Sequence, residues 1–273
     1  MATVHIQGRC PACHQESDHP PTGELVFDDG QVQLWHGCLQ GTLPARDFRP
    51  DLVVADPPYA ETSLAWDRWP DGWPAIVAEH ASSMWCFGSM RMFLDRRDEF
   101  AGWRLSQDIV WEKHAGSVRV TDRFRRVHEH ALHWYRGPWA DVRHETPRVP
   151  HNGPRVARAR QKPRLEAGHH GEFGVSVWED DGTRLQASVI YARSMHRNGN
   201  LNPTEKPQGI LEPLIAYGCP PGGLVLDPFA GSCSTLVAAR NLGRRAVGIE
   251  VRAEQCESAV RRLEQGVLAL EGL

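Results

Sequence analysis

The segment from residue 224 to residue 250 constrains the fold of this chain more than any other. A short apolar strand ends at Asp227, a turn of small residues leads at once into a helix, and a second strand ends at Glu250, about twenty residues after the turn. This order is typical of nucleotide-binding α/β folds. In these folds the free N–H groups at the helix N-terminus face the ligand, and the acid accepts hydrogen bonds from the ribose hydroxyls. A tight βα turn without a ligand is the alternative interpretation of the turn alone.

Short apolar runs and amphipathic stretches alternate through much of the remaining chain, which indicates βαβ units. The runs over 31–39 and 50–59 end in polar turns and predict buried parallel strands. The other predicted elements are a helix at 74–81, strands at 82–87, 103–111 and 128–135, and helices at 90–100, 207–217 and after residue 250. Periodicity fails between residues 137 and 200, so a loop-rich insertion is expected there.

The composition is that of an ordinary globular protein, with 41% hydrophobic and 24% charged residues among 273. The first twenty residues contain no apolar run preceded by a basic cluster, so we expect neither a signal peptide nor a membrane span, and a cytoplasmic location. The seven cysteines are scattered, which favours reduced thiols over a disulfide framework.

The charges are distributed unevenly although the net charge is only -3. The window from Lys113 to Arg164 has 13 basic and 4 acidic residues, a local charge of +9. Such a window suits a surface that faces phosphates. Arginine outnumbers lysine 28 to 3, which suits bidentate phosphate and guanine contacts, although a codon bias would give the same ratio.

The tetrad Asp56-Pro57-Pro58-Tyr59 follows a predicted strand directly. Two prolines fix the backbone in an extended bend, which directs polar groups outward. The Asp56 carboxylate and the Pro57 carbonyl are then placed to accept both hydrogens of a planar amino group, while the Tyr59 ring stacks on the base that carries it. The alternative interpretation of this tetrad is purely structural: a turn that ends the strand, followed by a tyrosine of the core.

Together these motifs resemble those of the beta-class amino-methyltransferases of DNA, in which the catalytic motif precedes the cofactor-binding motif. The tetrad at 56–59 corresponds to motif IV, the segment Asn202–Pro207 to motif X, the turn Asp227–Ser232 to motif I, and Ile249-Glu250 to motif II. The resemblance implies a Rossmann-like, mostly parallel α/β sheet of the methyltransferase type. It also implies a leader at 1–30, a catalytic half at 31–136, a target-recognition insertion at 137–200 and a cofactor-binding half at 201–273.

The resemblance further implies S-adenosylmethionine as cofactor, double-stranded DNA as substrate and a homodimer. An Asp at the first catalytic position is more usual in the adenine-N6 enzymes than in the cytosine-N4 enzymes. We therefore expect transfer to N6 of adenine by base flipping and direct in-line attack. The expected catalytic residues are Asp56, Pro57, Pro58 and Tyr59. The expected cofactor-binding residues are Asp56, Thr204, Glu205, Lys206, Asp227, Phe229, Ala230, Gly231, Ser232, Ser234, Thr235 and Glu250. The expected DNA-binding residues are Lys113, His114, Arg119, Arg123, Arg125, Arg126, His128, Arg155, Arg158 and Arg160.

Two positions depart from the pattern of the resembled enzymes. Gly37-Cys38 stands where those enzymes often have Gly-Asp, whose carboxylate lies near the adenine of the cofactor, so that contact is in doubt here. Cys233 occupies the place of a second glycine after the turn. No cysteine follows a proline, which disfavours the covalent route of C5-cytosine methylation.

Three other functions remain open at this point: cytosine-N4 methylation, methylation of RNA or a protein amide, and a non-catalytic DNA-binding regulator on the same fold. The sequence also contains Cys10-x-x-Cys13, with His14 and His19 close behind. A single such pair is weak support for zinc, and no metal site is expected.

Overall fold

The computed structural model describes residues 10, 13, 19–64, 66–113, 122–150, 181–193 and 205–271, with side chains to residue 265. The strands in this part of the chain are β1 (Glu24–Asp28), β2 (Val32–His36), β3 (Leu52–Ala55), β4 (Ser83–Gly88), β5 (Arg104–Glu112), β6 (His128–Tyr135), β7 (Arg148–Pro150), β8 (Thr183–Leu185), β9 (Val189–Tyr191), β10 (Leu224–Asp227) and β11 (Arg245–Glu250). The helices are α1 (Leu39–Thr42), α2 (Trp73–Ala78), α3 (Met90–Asp95), α4 (Gln208–Gly218), α5 (Ser234–Asn241) and α6 (Ala253–Glu271). None of these helices is both long enough and apolar enough to cross a bilayer.

Nine strands form one sheet in the order β1-β2-β11-β10-β3-β4-β6-β5-β9. The five strands from β2 to β4 in that order are parallel, as are β5 and β9, while β1 and β6 run the opposite way. The prediction of a mostly parallel α/β sheet is therefore confirmed. The crossover through α5 leads from β10 to β11, whereas the one through α2 leads from β3 to β4, so the chain diverges between β10 and β3.

Both faces of the sheet are covered, because neighbouring residues of the parallel strands enter different cores. Val54, Trp85 and Val225 belong to one cluster, together with the apolar faces of α4, α5 and α6. Val53 and Leu226 belong to the other, together with residues of α1, α2 and α3. Side chains of a strand alternate between the two faces, so apolar runs such as Leu52–Ala55 are buried on both sides.

The structure differs from the sequence prediction in several places, and one is β9 (Val189–Tyr191), which joins the main sheet within the stretch 137–200 that was predicted as a loop-rich insertion. The predicted helix over 90–100 ends at Asp95, and a separate 3-10 turn follows at Arg97–Phe100. The Glu99 carboxylate accepts hydrogen bonds from the Trp69 indole N–H and the Gly72 N–H, and these long-range contacts fix the turn apart from α3. In addition, β1 pairs antiparallel with β2 where the sequence indicated no strand.

Clustering of contacts separates a second unit, Thr146–Ala187, from the rest of the chain. Within it, β7 and β8 form an antiparallel pair in which Val149 lies opposite Arg184. The Arg148 guanidinium bonds to the Thr183 hydroxyl and forms an ion pair with Asp181 at 3.4 Å.

We predict that Leu211→Ala lowers the free energy of unfolding by about 2–5 kcal/mol, because Leu211 is completely buried on α4 and the change leaves a cavity. The matched control is Leu94→Ala on α3, whose side chain is 65% exposed. The control should change stability by less than about 0.5 kcal/mol. Urea unfolding followed by tryptophan fluorescence measures both variants, and equal losses would contradict the burial of the α4 face.

Candidate active site

Three carboxylates lie at the carboxyl ends of neighbouring parallel strands. Asp56 follows β3, Asp227 ends β10 and Glu250 ends β11. Because β10 and β3 are adjacent strands from which the crossovers diverge, this edge has the geometry at which open α/β sheets bind ligands. The motifs at 56–59 and 227–232 therefore share one edge of the sheet.

The Asp56 carboxylate is held by two donors. The Tyr59 hydroxyl donates to Oδ1 at 2.8 Å, and the Lys206 ammonium donates to Oδ2 at 2.5 Å. Each carboxylate oxygen has two lone pairs, so both oxygens keep one for a further donor. The Asp56 side chain is 26% exposed, so a substrate can reach it.

Lys206 also connects Asp56 to a second acid, Glu129 on β6. Its ammonium lies 3.5 Å from Glu129 Oε2, and Glu129 Oε1 accepts a hydrogen bond from Lys113. Burial lowers the pKa of Lys206, but Asp56 and Glu129 outweigh it and leave that pKa raised. Burial likewise raises the pKa of Glu129, while Lys206 and Lys113 outweigh it and leave that pKa lowered. Lys206 and Glu129 are therefore held in their charged forms.

The Tyr59 phenol stays neutral. Burial, followed by the charges of Asp56 and Glu129, raises its pKa well above the ordinary value. The phenol can therefore act only as a hydrogen-bond donor towards Asp56 at physiological pH, and that bond fixes the ring beside the carboxylate.

The loop after the tetrad is organised by Asp67, whose buried carboxylate accepts hydrogen bonds from three successive N–H groups. These come from Ala60 at 2.8 Å, Glu61 at 3.1 Å and Thr62 at 2.7 Å. Ala60 has φ +56°, a left-handed conformation that costs a residue with a side chain about 1–2 kcal/mol. The three bonds to Asp67 hold this unfavourable conformation next to Tyr59, where a cavity of about 330 Å³ opens.

The turn between β10 and α5 surrounds a buried acid. Asp227 accepts hydrogen bonds from the Phe229 N–H at 3.0 Å and from the Thr235 hydroxyl. Burial, assisted by the charges of Asp56 and Glu250, outweighs these bonds and raises the pKa of Asp227 to about 7. Gly231 has φ +51°, a backbone conformation that glycine adopts without strain.

The Glu250 carboxylate is hydrogen-bonded to this turn. It accepts hydrogen bonds from the Gly231 N–H at 2.8 Å and from the N–H and guanidinium of Arg252, each at 3.0 Å. Gly248, two residues earlier, lets β11 approach closely, because a Cβ there would lie 2.9 Å from Ala230 Cβ. Glu205 is tied to the same region through Arg262, which forms an ion pair with it at 2.6 Å and bonds to the Ser234 hydroxyl.

The chemistry of this edge fits S-adenosylmethionine, the cofactor that the resemblance implies. The acids at this edge are Asp56, Asp227 and Glu250. The charges of Asp56 and Glu250 help to raise the pKa of Asp227, so this edge favours a cationic ligand. Within the described chain, the buried Gln208 Oε1 has no hydrogen-bond partner, although the same amide donates to the Ser234 carbonyl at 3.1 Å. A donor on the ligand would satisfy that acceptor.

The expected DNA-binding residues fall into two groups. Arg123 and Arg125 are exposed and flank Phe124, whose side chain is completely exposed, although the Arg123 guanidinium is bonded to the neighbouring Asp122 carboxylate. Arg126 instead lies 3.8 Å from Glu61, and Lys113 is engaged by Glu129. The half-buried His128 ring packs edge-on against His130, with centroids 5.2 Å apart.

Several expected residues lie outside the part of the chain that the structure describes: His114, Arg119, Arg155, Arg158, Arg160 and Thr204. The sequence analysis overlooked Glu129 and Asp67. The signal for Glu129 was available, since it is the one acid in the strand His128–Tyr135. Lys206 was expected to bind the cofactor. In the structure its ammonium forms ion pairs with Asp56 and Glu129.

Comparison with known proteins gives a family. The DNA methylase family of N6/N4 type matches residues 50–261. The chain is 26% identical over 265 residues to the type II methyltransferase M.ScaI of Streptomyces caespitosus, covering 89% of this chain and 84% of that protein. It is 43% identical over 96 residues to the DNA adenine methyltransferase YhdJ of Escherichia coli, a match that covers 35% of this chain and 30% of that protein.

Solved structures show the same fold. The M1.HpyAVI complex with SAM superposes with a TM-score of 0.59 at 23% identity, covering 85% of this chain and 99% of that one. The cytosine-N4-specific PvuII DNA methyltransferase has a TM-score of 0.59 at 14% identity, with 88% of each chain covered. The expected methyltransferase-type α/β fold is thereby confirmed.

We predict that stability falls with pH because of Asp227. A carboxyl with a raised pKa in the folded state binds a proton there that the unfolded chain has lost, so its stabilising contribution disappears as pH rises from about 4 to about 7. The free energy of unfolding of the wild type relative to Asp227→Asn should therefore fall, by on the order of a few kcal/mol, between about pH 5 and about pH 8. Urea unfolding across that range measures it. Asp47→Asn, at a carboxylate 83% exposed, is the control, and a pH-independent difference for Asp227→Asn would contradict the assignment.

Proposed function

This chain belongs to the DNA methylase family of N6/N4 type, and from that premise we propose that it methylates N6 of adenine in duplex DNA. It is a DNA methyltransferase that uses S-adenosylmethionine. The observation that carries the proposal is the position of Asp56. This accessible carboxylate, bonded to Lys206, lies at the end of β3, next to the edge where Asp227 and Glu250 favour the cofactor.

Two observations support adenine as the target base. The first catalytic position is an Asp, as is more usual in the adenine enzymes that the motifs resemble. YhdJ, which is 43% identical over 96 residues, is a DNA adenine methyltransferase. Cytosine-N4 transfer would use the same acceptors on a different ring, and product analysis separates the two.

The chemical problem is that the lone pair of an exocyclic amine is delocalised into the ring of the base. The free lone pairs of Asp56 and the carbonyl of Pro57 accept the two amino hydrogens, so the nitrogen becomes pyramidal and its lone pair points away from the ring. When bound, S-adenosylmethionine supplies a methyl group on a positively charged sulfur. The contribution of the protein is orientation and electrostatic stabilisation.

Lys206 and Tyr59 prepare Asp56 for this role. Their two donors fix the carboxylate plane before the substrate arrives, since one bonds to each oxygen of Asp56. Formation of the N–C bond would break the bond between methyl and sulfur and leave its electron pair on a neutral thioether, while the nitrogen becomes positive and loses one hydrogen as a proton. Asp56 already accepts that hydrogen and is the group that takes the proton before releasing it to water.

Duplex DNA has to present the base outside the stack, at a cost of a few kcal/mol. Tyr59 provides an aromatic surface beside the acceptors, and its hydroxyl bond to Asp56 holds the ring in place. The exposed Arg125 offers charge for phosphates, and the exposed Phe124 beside it offers an apolar ring for an opened base step. These contacts would offset the cost of flipping.

The test is incubation of the purified protein with radiolabelled S-adenosylmethionine and mixed-sequence duplex DNA, followed by digestion to nucleosides and chromatography. We expect label in N6-methyldeoxyadenosine. Asp56→Ala should reduce the rate at least about a hundredfold, because it removes an acceptor that contacts the reacting amine. Asp71→Ala, at an 87% exposed carboxylate, should retain the wild-type rate.

Each other outcome has a distinct meaning. Label in N4-methylcytosine would overturn the base assignment and leave methyl transfer intact. Near-normal turnover of Asp56→Ala, with melting curves that show a folded protein, would refute the role of Asp56. Cofactor and DNA binding without any label would support the non-catalytic regulator.

We predict that Glu250→Gln weakens cofactor binding about ten- to a hundredfold, because one carboxylate oxygen that accepts a ribose hydroxyl becomes an amide donor. The side chain keeps its size and can still accept the Gly231 N–H. Isothermal titration calorimetry measures the affinity. Glu254→Gln, an exposed acid in the first turn of α6, is the control. Unchanged affinity for Glu250→Gln would show that the ribose does not bind there.

A further inference from the structure

Four side chains that the proposed methyl transfer does not use converge near the end of β2. They are Cys10, Cys13, His19 and Cys38, and their sulfur and nitrogen ligand atoms all lie within 4.8 Å of one another. Cys10, His19 and Cys38 are each about 95% buried, and Cys13 is partly buried. A compact set of three thiols and one imidazole is the donor set of a Cys₃His zinc centre.

Two of the separations between ligand atoms are close to the edges of a tetrahedron around a metal, and none exceeds 4.8 Å. Zinc–sulfur bonds of about 2.3 Å and zinc–nitrogen bonds of about 2.0–2.1 Å give S···S edges of about 3.8 Å and S···N edges of about 3.6 Å. The Cys10 and Cys38 sulfurs are 3.8 Å apart, and Cys13 Sγ lies 3.4 Å from His19 Nε2. A disulfide would bring two sulfurs to about 2.05 Å.

The orientation of His19 also suits a ligand. Its Nδ1 lies 3.2 Å from the Pro20 carbonyl oxygen, which requires the Nδ1–H tautomer for a hydrogen bond. In that tautomer Nε2 carries a lone pair, and Nε2 is the atom that faces Cys13. Metal-bound histidines generally donate their second ring N–H to such an acceptor, which fixes the ring.

We propose that Cys10, Cys13, His19 and Cys38 bind one structural Zn²⁺. Three soft thiolates and an imidazole select zinc over hard cations such as Mg²⁺ or Ca²⁺. Four protein ligands complete the tetrahedron and leave no open position for a water or a substrate, which distinguishes this centre from a catalytic one.

The position of Cys38 indicates the structural role of the metal. Cys38 follows β2 directly, and the preceding Gly37 donates its N–H to the Glu250 carbonyl at 2.9 Å. The other three ligands come from the chain before β1. The metal therefore fastens that segment to the end of β2, one strand away from the acid proposed to bind the ribose.

The experiment is metal analysis of the full-length protein after expression in zinc-supplemented medium and gel filtration. Inductively coupled plasma mass spectrometry should find about one zinc per chain. Cys38→Ser should reduce the content at least tenfold, whereas Cys219→Ser, at another buried cysteine outside the cluster, should retain it. Absence of stoichiometric zinc, or full retention by Cys38→Ser, would overturn the proposal.

Two further measurements apply if Cys38→Ser fails to fold. Zinc K-edge absorption of the wild type should show three sulfur ligands at about 2.3 Å and one nitrogen at about 2.0–2.1 Å. A shell of nitrogen and oxygen alone would place the metal elsewhere and refute the cluster. His19→Ala should weaken zinc binding, and His19→Cys should restore it, since thiolate is also a zinc ligand. Equal zinc retention in both variants would exclude His19 as a ligand.

Discussion

The parallel pairing of β10 with β3 is the constraint on which the active site depends. Val225 lies opposite Leu52 and Leu226 opposite Val53, and the Asp51 carboxylate fixes this register by accepting the Leu224 N–H at 2.8 Å. A slip of one residue would turn the side chains of a strand to the opposite face and exchange the two cores. The same register sets the carboxyl ends side by side, so the catalytic tetrad and the cofactor turn meet although they lie far apart in sequence.

Within that frame, Lys206 determines the charge state of the site. Isolated buried acids become protonated, as the pKa of about 7 for Asp227 illustrates. Lys206 prevents this for Glu129, whose pKa is lowered despite burial. Buried ion pairs contribute little net stability, because desolvation cancels much of the attraction. We therefore assign Lys206 to the orientation of Asp56 and the ionisation of Glu129 rather than to stability.

The sequence predicted those features that depend on neighbours along the chain. Strands that end in Asp56, Asp227 and Glu250 could be recognised from apolar runs followed by acids, and parallel strands place such ends at one edge. The link from Asp56 through Lys206 to Glu129 could not be predicted. It depends on the antiparallel pairing of β6 with β4, and the sequence between these strands does not indicate which residues pair. The pairing of β1 was missed because strand–strand contacts at a sheet edge leave a weak pattern.

The two cysteines that depart from the pattern of the resembled enzymes have separate physical explanations. Cys233 has φ +62°, where glycine is favoured, but its side chain is completely buried in the core. Burial, followed by Asp227 and Glu250, raises the pKa of its thiol well above the ordinary value, so it supplies no thiolate for covalent attack. Cys38 lies with Cys10, Cys13 and His19 instead of presenting a carboxylate. Residue 38 then has a structural role, and Glu250 remains the carboxylate that can bind the nucleoside of the cofactor.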